Sequence, residues 1–234
     1  MDENAAAADR LKRDVQNLTD AASMNHKPIP VEPDKPRTTG IAVCGSHPHL
    51  INKAPFDDPS WAIYACSSHN LSYAGKDGKT EGLRFLNGGK RPDGGVYRVD
   101  QFFEVHDKLL DPTRDYSYLR ALDIEDIPII WVRDPEALPL IPNARPYPME
   151  EMSKQFGDFF WTSTIAHMLA KAIHDCQEQG IGRIGIWGVM QGSQQEFQYQ
   201  RPGIQYFIQR ALDLDIEVTA PRSSALFDIA VEKW

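Results

Sequence analysis

Apolar positions fall along this chain in two kinds of run. Short unbroken stretches occur at 41–44 (Ile-Ala-Val-Cys), 61–66 (Trp-Ala-Ile-Tyr-Ala-Cys), 127–132 (Ile-Pro-Ile-Ile-Trp-Val) and 184–189 (Ile-Gly-Ile-Trp-Gly-Val), and Ile216-Glu217-Val218-Thr219 reads as a last short strand. Runs of this length without a polar face predict strands covered on both sides, as in a parallel sheet. Between them the spacing becomes helical. Ile165, Met168, Leu169 and Ile173 fall at i, i+3, i+4 and i+8, and Ile204, Phe207, Ile208, Ala211 and Leu212 repeat the pattern after Pro202. Thr162-Ser163-Thr164 offers an N-cap to the first helix and Gly180 a stop. Strands alternating with helices predict an α/β fold: a Rossmann-like open, mostly parallel sheet with helices on both faces.

Two segments stand outside that alternation. Residues 1–38 combine alanines and the helical spacing Leu11, Val15, Leu18 with Pro28, Pro30, Pro33 and Pro36. They read as an N-terminal helical arm on a Pro-rich linker, either a docking or oligomerisation arm or a plain extension. The single α/β domain then occupies 39–234, with a hairpin-like insertion at about 68–100. There Leu83-Arg84-Phe85 can pair with Tyr97-Arg98-Val99 across Gly88-Gly89 and Pro92-Asp93-Gly94-Gly95. The insertion is either a lid over a site or surface decoration.

Composition narrows the partners. With 234 residues, seventeen prolines and sixteen glycines, the chain can bury a substantial core within a loop-rich domain. A net charge of −8 argues against duplex DNA as a partner but leaves room for a local basic site. Cys44, Cys66 and Cys176 are odd in number and widely spaced, which fits reduced thiols in a cytoplasm rather than a disulfide framework or a zinc ribbon. No apolar run reaches the eighteen or so residues that a membrane helix needs, and the start Met1-Asp2-Glu3-Asn4 does not read as an export signal.

Three stretches carry candidate chemistry. In an open parallel sheet, ligands bind beyond the carboxyl ends of the strands. Gly45-Ser46 after the first strand is small enough for backbone N–H groups to approach a phosphate, although a plain tight turn explains it equally well. Neither GxGxxG nor GxxxxGK[ST] is present. In Phe102-Phe103-Glu104-Val105-His106-Asp107, Glu104 and His106 project to one side of an extended segment, about 7 Å apart by strand rise. They form either a general-base pair for an acceptor hydroxyl or a polar strand end. The third stretch, Gln191-Gly192-Ser193-Gln194-Gln195-Glu196-Phe197-Gln198-Tyr199-Gln200-Arg201-Pro202, follows the fourth strand. Gln191, Gln195 and Gln200 suit a hydroxyl-rich ligand, Glu196 is a second acid or base, and Tyr199 with Arg201 can stabilise a departing phosphate. The histidines show no zincin spacing, and Gly192-Ser193-Gln194 is no nucleophile elbow.

The pattern Val43-Cys44-Gly45-Ser46-His47-Pro48-His49-Leu50, then 61–66, then Phe159-Phe160-Trp161-Thr162-Ser163-Thr164-Ile165, then Ile184-Gly185-Ile186-Trp187-Gly188-Val189-Met190 resembles a family of uncharacterised bacteriophage proteins over residues from about 39 to 228. That family is in turn similar to Rossmann-like enzymes with a GxGPS loop: lipooligosaccharide sialyltransferases and the archaeal hydroxymethylpterin pyrophosphokinase group. The resemblance implies a cytidine-nucleotide cleft bordered by Gly45, Ser46, Thr162, Ser163 and Gly188, with Thr164 on the same helix start. The chain departs from the pattern at His47, where glycine is expected, and at Ser67 and Ser68, where asparagine is typical. If the chain is phage-encoded, its place is the cytoplasm of the bacterial host.

These readings converge on an enzyme for a small phosphorylated ligand. A nucleotide or nucleotide-sugar donor serves as co-substrate, no metal is called for, and a glycosyl or phosphoryl group is transferred. Two alternatives stand beside it. One is a hydrolase of nucleotide N-glycosidic bonds; the other is a non-catalytic phage protein that sequesters a nucleotide or grips a host protein or a second copy through the arm.

Overall fold

The computed structural model describes residues 38–45, 47–66, 91, 93–106, 127–141, 143–190, 195–224 and 226. Seven strands form one sheet: β1 (Gly40–Cys44), β2 (Trp61–Cys66), β3 (Gln101–Glu104), β4 (Ile129–Val132), β5 (Ala144–Pro146), β6 (Arg183–Trp187) and β7 (Glu217–Thr219). Their order is β5-β4-β3-β2-β1-β6-β7 and every pairing is parallel. The chain adds strands outward on one side of β1, then crosses to β6 on the other. The switch point of this doubly wound sheet therefore lies between β1 and β6, and all seven carboxyl ends share one edge.

Four helices accompany the strands among the described residues: α1 (Pro48–Ile51), α2 (Met149–Phe156), α3 (Thr164–Gln179) and α4 (Gln195–Asp213). Alternation along the strands divides the core. Ile41, Val43, Tyr64, Phe103, Ile184 and Ile186 face a cluster with Met152, Met168, Leu169, Ile173, Phe207 and Ile208 from α2, α3 and α4. Ala42, Cys44 and Ile63 face the other way, onto Ile51, Ala54, Phe56 and Tyr97. Farther out, Phe102, Ile130 and Val132 pack with Val99, Ala137 and Ile141.

Local signals explain the boundaries. Asp58 Oδ1 accepts hydrogen bonds from the Ser60 backbone N–H at 2.9 Å and the Ser60 hydroxyl at 2.7 Å, which sets the turn that launches β2. Ser163 caps α3, accepting from Ala166 N–H at 3.2 Å, and Gly180 ends the helix in a left-handed turn. Three features depart from the sequence reading. β5 has no apolar run behind it, because it is an edge strand that ends in proline. The Phe102–Glu104 stretch, read as an extended segment and not counted among the apolar strands, is an inner strand paired with β2 and β4. The helix assigned to follow Pro202 instead begins at Gln195 and carries Pro202 inside it.

Beneath α3 lies a polar chain that runs from the partly buried Trp131 and Gln101 into the core. Trp131 Nε1 donates to Gln101 Oε1 at 2.6 Å, and Gln101 Nε2 donates to the Tyr64 hydroxyl at 3.1 Å. Tyr64 donates to Asp175, which also accepts from Lys171 Nζ one turn earlier on α3. Lys171 lies 5.1 Å from the centre of the Trp131 ring, so its charge is balanced by a carboxylate and an aromatic face.

Of the two segments outside the alternation, residues 1–37 lie outside the described residues. So do residues 67–90, which include the proposed hairpin partner Leu83-Arg84-Phe85. The end of the insertion is held by Arg91, which donates to Asp57 at 2.5 Å and to Asp93 at 3.0 Å.

Candidate functional site

The carboxyl edge begins at the switch point. Gly45 N–H donates to the Trp187 carbonyl and His47 N–H to the Gly188 carbonyl, each at 2.8 Å, so the loops after β1 and β6 are stitched together. Gly188 sits at φ +68°, and a Cβ built on Gly45 would stand 2.5 Å from the Gly188 carbonyl oxygen. Glycine is needed at both places because backbone meets backbone. The sequence offered the small first loop as a phosphate cradle; here the N–H groups of Gly45 and His47 are engaged in closing the two loops. Ser46 is outside the described residues.

Next along the edge are the ends of β2 and β3. Glu104 is fully buried, and its Oε1 accepts a hydrogen bond from Nδ1 of His106, whose side chain is 30% exposed. A carboxylate can only accept, so Nδ1 carries the proton and Nε2 is left as the basic nitrogen of the ring. Cys66, at the end of β2, has its thiol pushed up to about 12 by burial and then by the Glu104 charge. It is therefore a thiol rather than a nucleophilic thiolate at neutral pH. Ser67 and Ser68 lie outside the described residues.

The third part is the start of α3. Ser163 Oγ caps the helix, and Thr162 Oγ1 donates to the Gln200 carbonyl on α4 at 2.8 Å, while Thr164 opens the first turn. Sequence reasoning passed over His167 because it lacked metal-ligand spacing, yet it stands on this first turn, nearly buried. His167 Nδ1 donates to the Ser163 carbonyl at 2.9 Å, which leaves Nε2 as acceptor, 3.4 Å from Arg133 Nη1. Arg133 directly follows β4, so it belongs to the same edge. Tyr147 and Trp161 hold the imidazole from the sides, with ring centres at 5.3 and 5.1 Å. The available signals were positional: a histidine one turn past an N-cap and an arginine directly after an apolar strand.

The polar stretch that follows β6 divides in two. Gln191 is outside the described residues, and the backbone of Gln195 and Glu196 forms the first turn of α4. Tyr199, Gln200 and Arg201 are helical rather than a pre-helical loop. A proline inside a helix removes one N–H donor and crowds the carbonyl four residues earlier, so contacts from outside the helix must support that turn. Here the Thr162 hydroxyl donates to the carbonyl of Gln200, two residues before Pro202, and Gly203 lets the Phe160 carbonyl approach. Tyr199 is 71% exposed and Phe159 76% exposed. Phe160 sits at φ +70° with its ring stacked on Tyr206 at 4.5 Å, an aromatic ledge held in a sparsely populated backbone conformation.

The structure thus groups Gly45, His47 and Gly188; Glu104 with His106; and Thr162, Ser163 and Thr164 with Gln200, adding His167 and Arg133. Among the described residues, no cluster of three His, Cys, Asp or Glu side chains is placed to hold a metal ion, and no helix is long and apolar enough to cross a membrane.

No protein-family model matches the chain, and no curated protein matches it in sequence. Among solved structures it is similar to the sialyltransferase CstII from Campylobacter jejuni in complex with cytidine-5'-monophosphate. The identity is 11%, the match covers 80% of this chain and 82% of that one, and the TM-score is 0.44. A second structure of that enzyme, with CMP-3FNeuAc, gives 9% identity over 79% of this chain and 86% of that one, with a TM-score of 0.43.

Proposed function

We propose that this chain is an enzyme that binds a small phosphorylated ligand, a nucleotide or nucleotide sugar, at the carboxyl edge of its sheet and transfers the activated group. One observation carries the reading: a buried carboxylate, Glu104, holds a partly exposed imidazole, His106, at the edge where open parallel sheets take their ligands. Burial fixes the carboxylate, and the carboxylate fixes the ring tautomer. His106 Nε2 can then take the proton of an acceptor hydroxyl.

For glycosyl transfer the bonds balance simply. The acceptor oxygen bonds to the anomeric carbon as its proton passes to Nε2, and the bond from that carbon to the phosphate oxygen breaks. The nucleotide leaves as an anion. Arg133, Arg201 and the first turn of α3 supply positive potential for that departing phosphate, so positioning and electrostatics carry most of the rate. A hydrolase would place water where the acceptor stands.

Thermal unfolding of the full chain against nucleotides and nucleotide sugars tests this. A ligand at about a hundred times its dissociation constant adds about 2.7 kcal/mol, a rise of roughly 5 to 10 °C for a domain of this size. A flat response across the panel would remove the reading and leave the protein-binding alternative.

A further inference from the structure

A cavity of about 460 Å³ opens at the same edge of the sheet but on the far side of the switch point. It is lined by Lys53, Trp187, Thr219, Ala220, Pro221, Arg222 and Ser223. Trp187 ends β6 and Thr219 ends β7, whereas Glu104 ends β3 and His106 follows it. Three strand spacings of about 4.8 Å, roughly 14 Å, separate β3 from β6.

The walls are built rather than incidental. Ser224 Oγ donates to the Val189 carbonyl at 2.7 Å and Ser224 N–H to the Pro221 carbonyl at 2.9 Å, which pins the segment that carries Arg222 and Ser223. The backbone at exposed Lys53 is anchored by its neighbours, Asn52, whose Oδ1 accepts from the Tyr97 hydroxyl at 2.7 Å, and buried Ala54. Trp187 is fixed edge-on against Trp61, with ring centres 5.3 Å apart.

The lining is mostly apolar, and its charged members are Lys53 and Arg222. Lys53 and Arg222 make no ion pair among the described residues, in a chain whose net charge is −8. Two uncompensated cations at one concavity attract an anion, and an arginine beside a lysine suits a phosphate. Thr219 and Ser223 offer hydroxyls, and Trp187 offers an apolar wall for a ring. The volume lies within the range of small-molecule sites.

We infer that this cavity is a second binding site, for a phosphorylated sugar, held by Lys53 and Arg222 at the phosphate and by Trp187 at the ring. It does not depend on the transfer reaction proposed above. Occupation of this site is read without a nucleotide present, so each reading can fail alone.

The test is calorimetric titration of the full chain with glucose 6-phosphate at low salt, beside glucose and inorganic phosphate. Glucose 6-phosphate is expected to bind more tightly than either comparator. Arg222→Gln and Lys53→Gln are each expected to weaken it about tenfold or more, as loss of a charge-assisted contact does. Both positions are exposed, and circular dichroism melts that match the parent would establish that the variants fold. No binding by the parent at millimolar concentration, or variants that bind as the parent does, would overturn the inference.

Discussion

The fully buried Glu104 carboxylate accepts the Nδ1 proton of His106 at the end of β3, and that bond sets which imidazole nitrogen can act as a base. Replacing Glu104 with glutamine keeps the shape but frees the ring to adopt the other tautomer. Glu104→Gln is expected to lower the turnover of a nucleotide-sugar substrate about a hundredfold or more while leaving its KM within about threefold. Steady-state kinetics separate the two. A change in KM alone would make the pair a binding element.

Backbone packing at the switch point gives a stability prediction. Gly188 is left-handed, and a side chain there would drive its Cβ onto the Gly45 carbonyl. Gly188→Ala is expected to cost about 2 kcal/mol or more, lowering Tm by roughly 4 to 8 °C. Gly94→Ala is the control: it shares the positive φ but meets open space, so about 1 kcal/mol is expected. Equal losses at the two positions would contradict the stitched-loop account.

Most of the sheet was legible in the sequence. Strands β1, β2, β4 and β6 are inner strands of the sheet, and burial on both faces is what an unbroken apolar run records; β7 is an exposed edge strand, legible only as the short segment Ile216-Glu217-Val218-Thr219. The Ser163 cap and the Gly180 stop were equally plain. The edge strand β5 escaped because Ala144–Pro146 buries too little to leave a pattern. The start of α4 was misplaced because Pro202 resembles a helix opening, and only the distant Thr162 and Phe160 reveal how the helix carries it. The Glu104–His106 pair was visible as alternation. His167 with Arg133 was not, since contacts between β4 and α3 leave no local signal.

The buried ion pair offers a sharper energetic test. Asp175 is the acceptor for both Lys171 and Tyr64 inside the core. Asp175→Asn leaves Lys171 without its counter-charge and is expected to cost about 3 kcal/mol or more. The double variant Lys171→Met, Asp175→Asn should recover most of that loss in denaturant titrations. Additive losses would show that the two charges do not act as a pair.

Thiol chemistry gives a pH dependence with a defined sign. Burial raises the Cys66 and Cys176 thiols from 9.0 to about 12, so the folded state disfavours their ionisation. Above pH 9 the unfolded chain loses these protons first, and it binds fewer protons than the folded chain. The stability contribution is therefore complete below pH 9 and falls as the pH rises from 9 toward 12. Urea midpoints across that window should decline, and a thiol reagent at pH 8 should label Cys176 only on unfolding. Rapid labelling of Cys176 in the native chain would contradict its burial.

Nucleotide release from a panel of nucleotide sugars, measured side by side for the parent chain and Glu104→Gln, bears most directly on the central claim. Release by the parent, with a rate about two orders lower in the variant and binding retained, is the predicted result. No release from any donor, or equal release by both proteins, would contradict the assignment of catalysis to Glu104 and His106.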